Sequence, residues 1–479
     1  MKRRQGSPVS RGRVLVGLVC VAGLVGVASL VGAAGLVGAA GLVGTAGSGR
    51  GTASAQAPPG AAGAGGTAAV DEAWSSAGRA AAAPAAGLRD RLDRVPGDWS
   101  AWAELGLAYV EQARVTGDPT SYPRADGAFA RSLELRPAEN DPALAGQAAL
   151  AAARHDFPGA LRAADTAIAV NPFNATAHGV RFDALVELGR YPEAWQAAQT
   201  GVDLRPDVAS LARIAYAFEL RGESDQAATM LRRVADDATS AADAAFAYFH
   251  LGELARHSGD LAGADEAYRR GQARDPASVS LLVGRARVAA ARGESEAALA
   301  DYAVAATRSP QPWIVAEYGE LLEALGRPGE AARQYSLVRS TAALMRAQGV
   351  EVDVELALFE ADHGDPAAAL AALAALSPAP GGEPYRAGVF VDDARGWVLH
   401  QLGRDDEALA SARSALGLGT RRALFSYHRG VVHAALGQTE AAVADLRAAL
   451  GTDPHFSPLH APRAQALLES LTSPEAGAR

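Results

Sequence analysis

The chain has 479 residues, 49% of them apolar, which is more than one ordinary globular domain uses and ample for a core. Cysteine occurs once, at Cys20, which excludes an intrachain disulfide framework and a cysteine-based zinc site. The formal net charge is −9; residues 1–55 hold six cations and no acid, so without them the charge is −15, and such a balance gives no drive towards nucleic acid, whose phosphates require clustered cations.

Lys2, Arg3, Arg4, Arg11 and Arg13 form a basic start. An apolar, glycine-rich stretch follows from Val14 to about Ala46, with the low-complexity unit Gly35–Ala40 echoed from Gly41. It exceeds the ~7–15 residues of a signal-peptide core and is long enough for the ~20 residues of a membrane span, although its glycines weaken a helix. Ala53-Ser54-Ala55 matches a signal-peptidase site, which makes Gln56 the first mature residue. Two readings of 1–55 stand, cleaved signal peptide or retained anchor. Both carry the rest across the cytoplasmic membrane, so the expected location is secreted or tethered on its outer side. Val19, in place of a small residue before Cys20, reads against lipid modification. Residues 56–84, rich in Ala, Gly and Pro, read as a flexible tether. Leu88–Pro96 reads as a helix within a half-repeat spanning 85–98.

Beyond this point one ruler governs the chain. Prolines recur at Pro137, Pro172 and Pro206, and again at Pro276 and Pro310, with gaps of 35, 34 and 34. Glycines recur at Gly189, Gly222, Gly259, Gly293, Gly326, Gly364, Gly403 and Gly437, each followed five residues later by alanine. A period of this length marks stacked supersecondary units. Glycine accepts the turn between two helices, alanine lets the second helix approach the first, and proline ends it. Spacing loosens after Val338, so longer connections are expected at Ser340–Val350 and Ser377–Arg386, with an insertion at Val115–Arg124.

Trp102, Leu105, Gly106 and Tyr109, then Ala125, Phe129 and Pro137, resemble the tetratricopeptide repeat. Leu251, Gly252, Gly259, Ala264, Tyr268 and Pro276 form a nearly complete unit, and the resemblance covers 99–456. It implies an all-α fold: a right-handed superhelical α-solenoid of about ten helix–turn–helix repeats, capped by a helix within 457–479. Four phrases depart from the generic repeat: Ala153–Phe157, Glu360–Gly364, Tyr427–Gly430 and His455–Ala461. They resemble exported bacterial multi-repeat members of the family.

Chemistry is sparse. His250 and His257 are spaced to share a helix face, and His455 and His460 flank a proline loop, yet no histidine lies in a metal-ligand motif. No nucleophile elbow, P-loop or dinucleotide fingerprint is present. No catalytic residue, metal or cofactor is therefore expected. The acids Asp405-Asp406 suit the start of a second helix, where carboxylates favour the helix dipole. What the resemblance implies is binding of a protein or peptide partner in an inner groove lined by first-helix positions. On this chain those positions are Phe246, Phe249, Glu253 and Arg256 in repeat five, Trp313, Glu320 and Glu323 in repeat seven, Phe390, Trp397 and His400 in repeat nine, and Tyr427 in repeat ten. The absence of lysine after Lys2 argues against the clamp by which some members grip a C-terminal carboxylate. A structural spacer and an enzyme with an unfamiliar site are the competing readings.

Overall fold

The computed structural model describes residues 82–116, 119–347, 349–350, 354–376 and 384–473. The segments read as signal or anchor (1–55) and most of the tether lie outside them, as does most of the Ser377–Arg386 connection.

After a helix at 82–94 (α1), ten antiparallel helix pairs follow. Repeat one is α2 (Trp99–Thr116) with α3 (Tyr122–Leu135), and repeat two is α4 (Asp141–Ala153) with α5 (Phe157–Val170). Repeats three and four are α6 (Ala175–Glu187) with α7 (Tyr191–Leu204) and α8 (Val208–Leu220) with α9 (Ser224–Asp237). Repeats five and six are α10 (Ala241–His257) with α11 (Leu261–Arg274) and α12 (Val279–Ala291) with α13 (Ser295–Arg308). Repeats seven and eight are α14 (Pro312–Ala324) with α15 (Pro328–Ala347) and α16 (Val354–His363) with α17 (Pro366–Ala375). Repeats nine and ten are α18 (Val389–Gln401) with α19 (Asp405–Ala415) and α20 (Ala423–Ala435) with α21 (Thr439–Thr452); α22 (His460–Thr472) covers the end. Each helix packs on its sequence neighbours, and the described residues form no strand beyond an isolated bridge between Leu188 and Ala387. The structure is an α-solenoid.

The hairpin turns share one geometry. Gly189, Gly222, Gly259, Gly293, Gly326, Gly403 and Gly437 have φ of 69–77°, and the residue after each donates its N–H to the carbonyl five residues back, as Arg190 does to Leu185 at 2.8 Å. Repeat two fills this left-handed slot with His155 at φ 65°, so its turn carries no glycine signal. Gly364 departs in the other direction: its N–H bonds Glu360 O at 3.0 Å and Asp365 caps α17.

Aromatic rings on second helices hold the layers together. The Tyr268 ring of α11 is fully buried between Gly252 of α10 and Gly284 of α12, and a methyl on either glycine would overlap it. Phe129 sits likewise between Gly106 and Gly146. The expected connection over Ser340–Val350 is mostly helix instead: α15 runs on to Ala347, because Met345 and Val350 are buried in the core of repeat one with Tyr109 and Tyr122. The longer helix removes more apolar surface from water than a loop would.

That contact belongs to a wider closure. The turn of repeat three meets the segment before α18: Arg386 Nε donates to Glu187 Oε2 (2.6 Å), Ala387 N to Glu187 O (2.8 Å) and Val389 N to Tyr191 Oη (2.9 Å). The turn of repeat four meets the segment before α20, where Thr420 Oγ1 donates to Leu220 O (2.5 Å) and Arg422 Nη2 approaches Glu219 Oε1 (3.5 Å). The turn of repeat five meets the segment before α22 through Arg256 Nη1 and Asp453 Oδ2 at 3.1 Å. These side-chain contacts join residues 197–203 positions apart. Repeat n therefore stands on repeat n+6, successive superhelical turns touch along a seam, and Val389 and Phe425 share the core of repeats two to five.

Candidate functional site

The first helices of repeats five to ten (α10, α12, α14, α16, α18 and α20) surround a cavity of about 940 Å³, which Pro454–Gln465 closes on the remaining side. The volume is at the upper end of the ~300–1,000 Å³ of small-ligand sites. Trp313, Phe359, Phe390, Phe425 and Phe456 give it aromatic walls. A second cavity of about 850 Å³ lies between the turn of repeat two and repeat eight, floored by alanines of α17.

Most charges on the concave face are engaged in joining one repeat to the next. Arg213 of α8 makes a bidentate pair with Asp183 of α6 (2.7 and 3.0 Å), both buried. Arg287 of α12 does the same with Glu317 of α14 (2.6 and 2.9 Å) and lies 2.9 Å from Glu253 of α10. Glu253 also accepts from Tyr268 Oη (2.5 Å) and Arg256 (3.0 Å). Burial alone would raise the Glu253 carboxyl, and Arg256 and Arg287 outweigh it, holding the group well below the usual carboxylate range. His257, buried beside Arg256, is pushed well below the ordinary imidazole range by burial first and by that guanidinium second.

The groove residues expected from the sequence divide in two. Glu253, Arg256, Trp313, Glu320 and Phe390 line the cavity. Phe246 packs against the core of repeats two to five, and Phe249 is buried against Tyr268 and His250. Glu323 accepts from Tyr335 Oη at 2.7 Å, and His400 is held by Asp405 at 2.6 Å. Trp397 and Tyr427, each 3% exposed, are wall core between helices and make no part of the lining. In each case the helix face turned towards the neighbouring repeat, rather than the axis, takes the side chain.

Three of the four atypical phrases converge on that wall. Asp362 of Glu360–Gly364 accepts from Trp397 Nε1 (2.9 Å) and is 3.2 Å from His460 Nε2. His428 of Tyr427–Gly430 stacks on Trp397 at 4.2 Å and places Nδ1 3.0 Å from Asp393. Phe456 and His460 of His455–Ala461 pack on Tyr427. Burial would raise Asp362, and the hydrogen bonds from His460 and Trp397 outweigh it, keeping the group ionised and its pKa below the ordinary value. Departure from the generic repeat marks Asp362, His428 and His460 in the sequence; that they meet, with Asp393 joining them, depends on how the repeats stack. Among the described residues no group of three or more His, Cys, Asp or Glu is arranged to hold a metal ion, and no helix is long and apolar enough to cross a membrane.

One titration has a predicted effect on stability. His250, wedged between Phe246 and Phe249 with Arg422 nearby, is pushed down to about 4, chiefly by burial. A depressed imidazole stabilises the fold above pH ~6.5 and loses that contribution as pH falls from ~6.5 towards the folded value. By pH 5 the loss is up to about 2 kcal/mol. Thermal unfolding of wild type and His250→Phe at pH 7.5 and pH 5 checks this: the wild type loses more stability, and equal losses refute the assignment.

Three stretches, 145–209, 213–279 and 394–455, match the tetratricopeptide repeat. Among solved structures the chain is similar to a tetratricopeptide repeat protein from Parabacteroides merdae ATCC 43184, at 18% identity over 56% of this chain and 99% of that one, with a TM-score of 0.31. It is similar to PilW, a type IV pilus biogenesis factor, at 18% identity over 44% and 92%, TM-score 0.34. It is also similar to the human IFIT1 dimer solved with m7Gppp-AAAA, at 16% identity over 70% and 76%, TM-score 0.45. No curated protein matches the sequence.

Proposed function

Because the chain is a tetratricopeptide-repeat protein, we propose that it is a non-catalytic scaffold that holds a segment of another protein in the cavity ringed by repeats five to ten. The observation that carries this reading is the cavity itself. It is concave, aromatic-walled and built on the faces of six rigid helices, and its 940 Å³ accommodates a short stretch of chain rather than a folded domain. Trp313 and Phe390 are the anchors of the kind that dominate interface energetics. The paired charges keep the wall rigid, which lowers the entropic cost of binding. A spacer without a ligand would have no need of such a chamber.

The reading includes place: the basic start, the long apolar run and Ala53-Ser54-Ala55 support export, with the solenoid working outside the cytoplasmic membrane. The test installs a photocrosslinking residue at Trp313, at Phe390 and, as control, at Arg333 on the outer face, in cells fractionated after irradiation. Partner adducts are expected from the two cavity positions and in the extracytoplasmic fraction. Adducts only from Arg333 would overturn the cavity reading, and a wholly cytoplasmic protein would overturn the location.

A further inference from the structure

The wall where the atypical phrases meet has an uneven hydrogen-bond inventory. Trp397 turns its N–H backwards onto Asp362. His460 directs Nε2 to the same carboxylate, and its Nδ1 is buried without a partner. His428 directs Nδ1 to the buried Asp393. In each imidazole the nitrogen facing a carboxylate carries the proton, because a carboxylate only accepts. The other nitrogen of each ring, Nε2 of His428 and Nδ1 of His460, has no carboxylate partner. His428 and His460 both line the cavity. Glu320, also in the lining, has only a 3.4 Å contact with His363, the residue after Asp362. Its carboxylate keeps acceptor capacity, whereas Glu253 and Glu317 are saturated by arginines.

The arginines of the lining are each paired with carboxylates, although Arg287 Nη1, 2.9 Å from Glu253, makes no hydrogen bond. Arg256 is bound by Glu253 and Asp453, Arg287 by Glu253 and Glu317, and Arg422 is paired with Glu219 and lies over Phe390. Seven carboxylates and three guanidiniums line the chamber, an excess of four acids. The excess of carboxylates, the free capacity of Glu320 and the aromatic walls favour one ligand chemistry: a cationic hydrogen-bond donor on an apolar stem.

We propose that Glu320, His428 and His460 form the specificity subsite of the cavity, and that it takes the guanidinium or ammonium group of a basic residue lying within an apolar segment of the partner. This deepens the reading of the cavity as a peptide site and rests on it. The neighbouring aromatics, Trp313 and Phe456, receive the flanking apolar side chains, and a cation near aromatic faces gains further attraction.

The test uses the full chain and pools of short blocked peptides. Flanking positions are randomised over Ala, Leu, Val, Phe and Pro, and the centre is fixed as Arg, Lys, citrulline or Glu. Citrulline keeps the shape of arginine and removes its charge. Competition anisotropy is expected to rank Arg and Lys at least about tenfold tighter than citrulline, with Glu weakest. Glu320→Gln, at a partly exposed position, is expected to shrink the Arg-over-citrulline ratio several-fold; Glu320→Arg reverses the ranking. Equal binding of all pools overturns the basic subsite and leaves the peptide site standing. No binding of any pool overturns both. Argininamide alone binding as tightly as the Arg pool overturns the segment and leaves a small-cation site.

Discussion

Tyr268→Ala is expected to cost the solenoid about 3–5 kcal/mol, the range for removing a buried aromatic side chain. The ring fills the layer between repeats five and six, where Gly252 and Gly284 leave no atoms of their own to close the void. Truncation also strips Glu253, a buried carboxylate, of one donor. Tyr268→Phe separates the two contributions: it keeps the ring and loses the hydrogen bond to a charged group, for about 1.5–3 kcal/mol. Urea unfolding followed by circular dichroism measures both. An alanine variant within about 0.5 kcal/mol of wild type, as surface changes usually are, would contradict the layer described.

The second large effect concerns the seam. Arg386 is 6% exposed only because repeat nine lies on repeat three; its Nε holds Glu187 at 2.6 Å and its guanidinium lies over the Phe157 ring. Arg386→Ala leaves Glu187 buried beside Tyr191 without this partner, and breaking a buried pair from one side costs about 3–5 kcal/mol. If the turns did not touch in solution, residues 199 positions apart would be independent surface groups, and the change would stay within about 0.5 kcal/mol. A double-mutant cycle on Glu187 and Arg386 decides the matter: a coupling above about 0.5 kcal/mol supports the seam, and additivity removes it. Small-angle scattering of Arg386→Ala is expected to show a wider particle.

The repeat was legible because its determinants are local. A glycine at φ near 70° with an alanine five residues on recurs in seven hairpins between Gly189 and Gly437, Gly364 being the exception in that run. Where another residue filled the slot, as His155 does, the signal vanished while the structure persisted. The lining was half legible. Position along a first helix predicts which face a residue is on, which placed Trp313, Glu320 and Phe390 in the chamber. It does not predict how far the neighbouring repeat leans over that face, which is why Trp397 and Tyr427 are covered. The salt-bridge ladder from Asp183–Arg213 to Arg287–Glu317 depends on register between repeats, a pair property invisible to residues read singly. The seam depends on superhelical pitch, a sum of small rotations that no one repeat encodes.

Stacked repeats whose contacts stay between neighbours can nucleate anywhere and grow outwards. The seam changes the kinetics of this chain. Its contacts span about 200 residues, and such non-local pairings form late, because the intervening chain has to be ordered first. Repeats three to nine have to stack before Arg386 reaches Glu187, and Asp453 is the last partner to emerge from a ribosome. During synthesis the chain therefore exists for a time as an open spiral, with the edges of repeats three to five uncovered. Ring closure is a late, concerted event that only a nearly finished polypeptide completes.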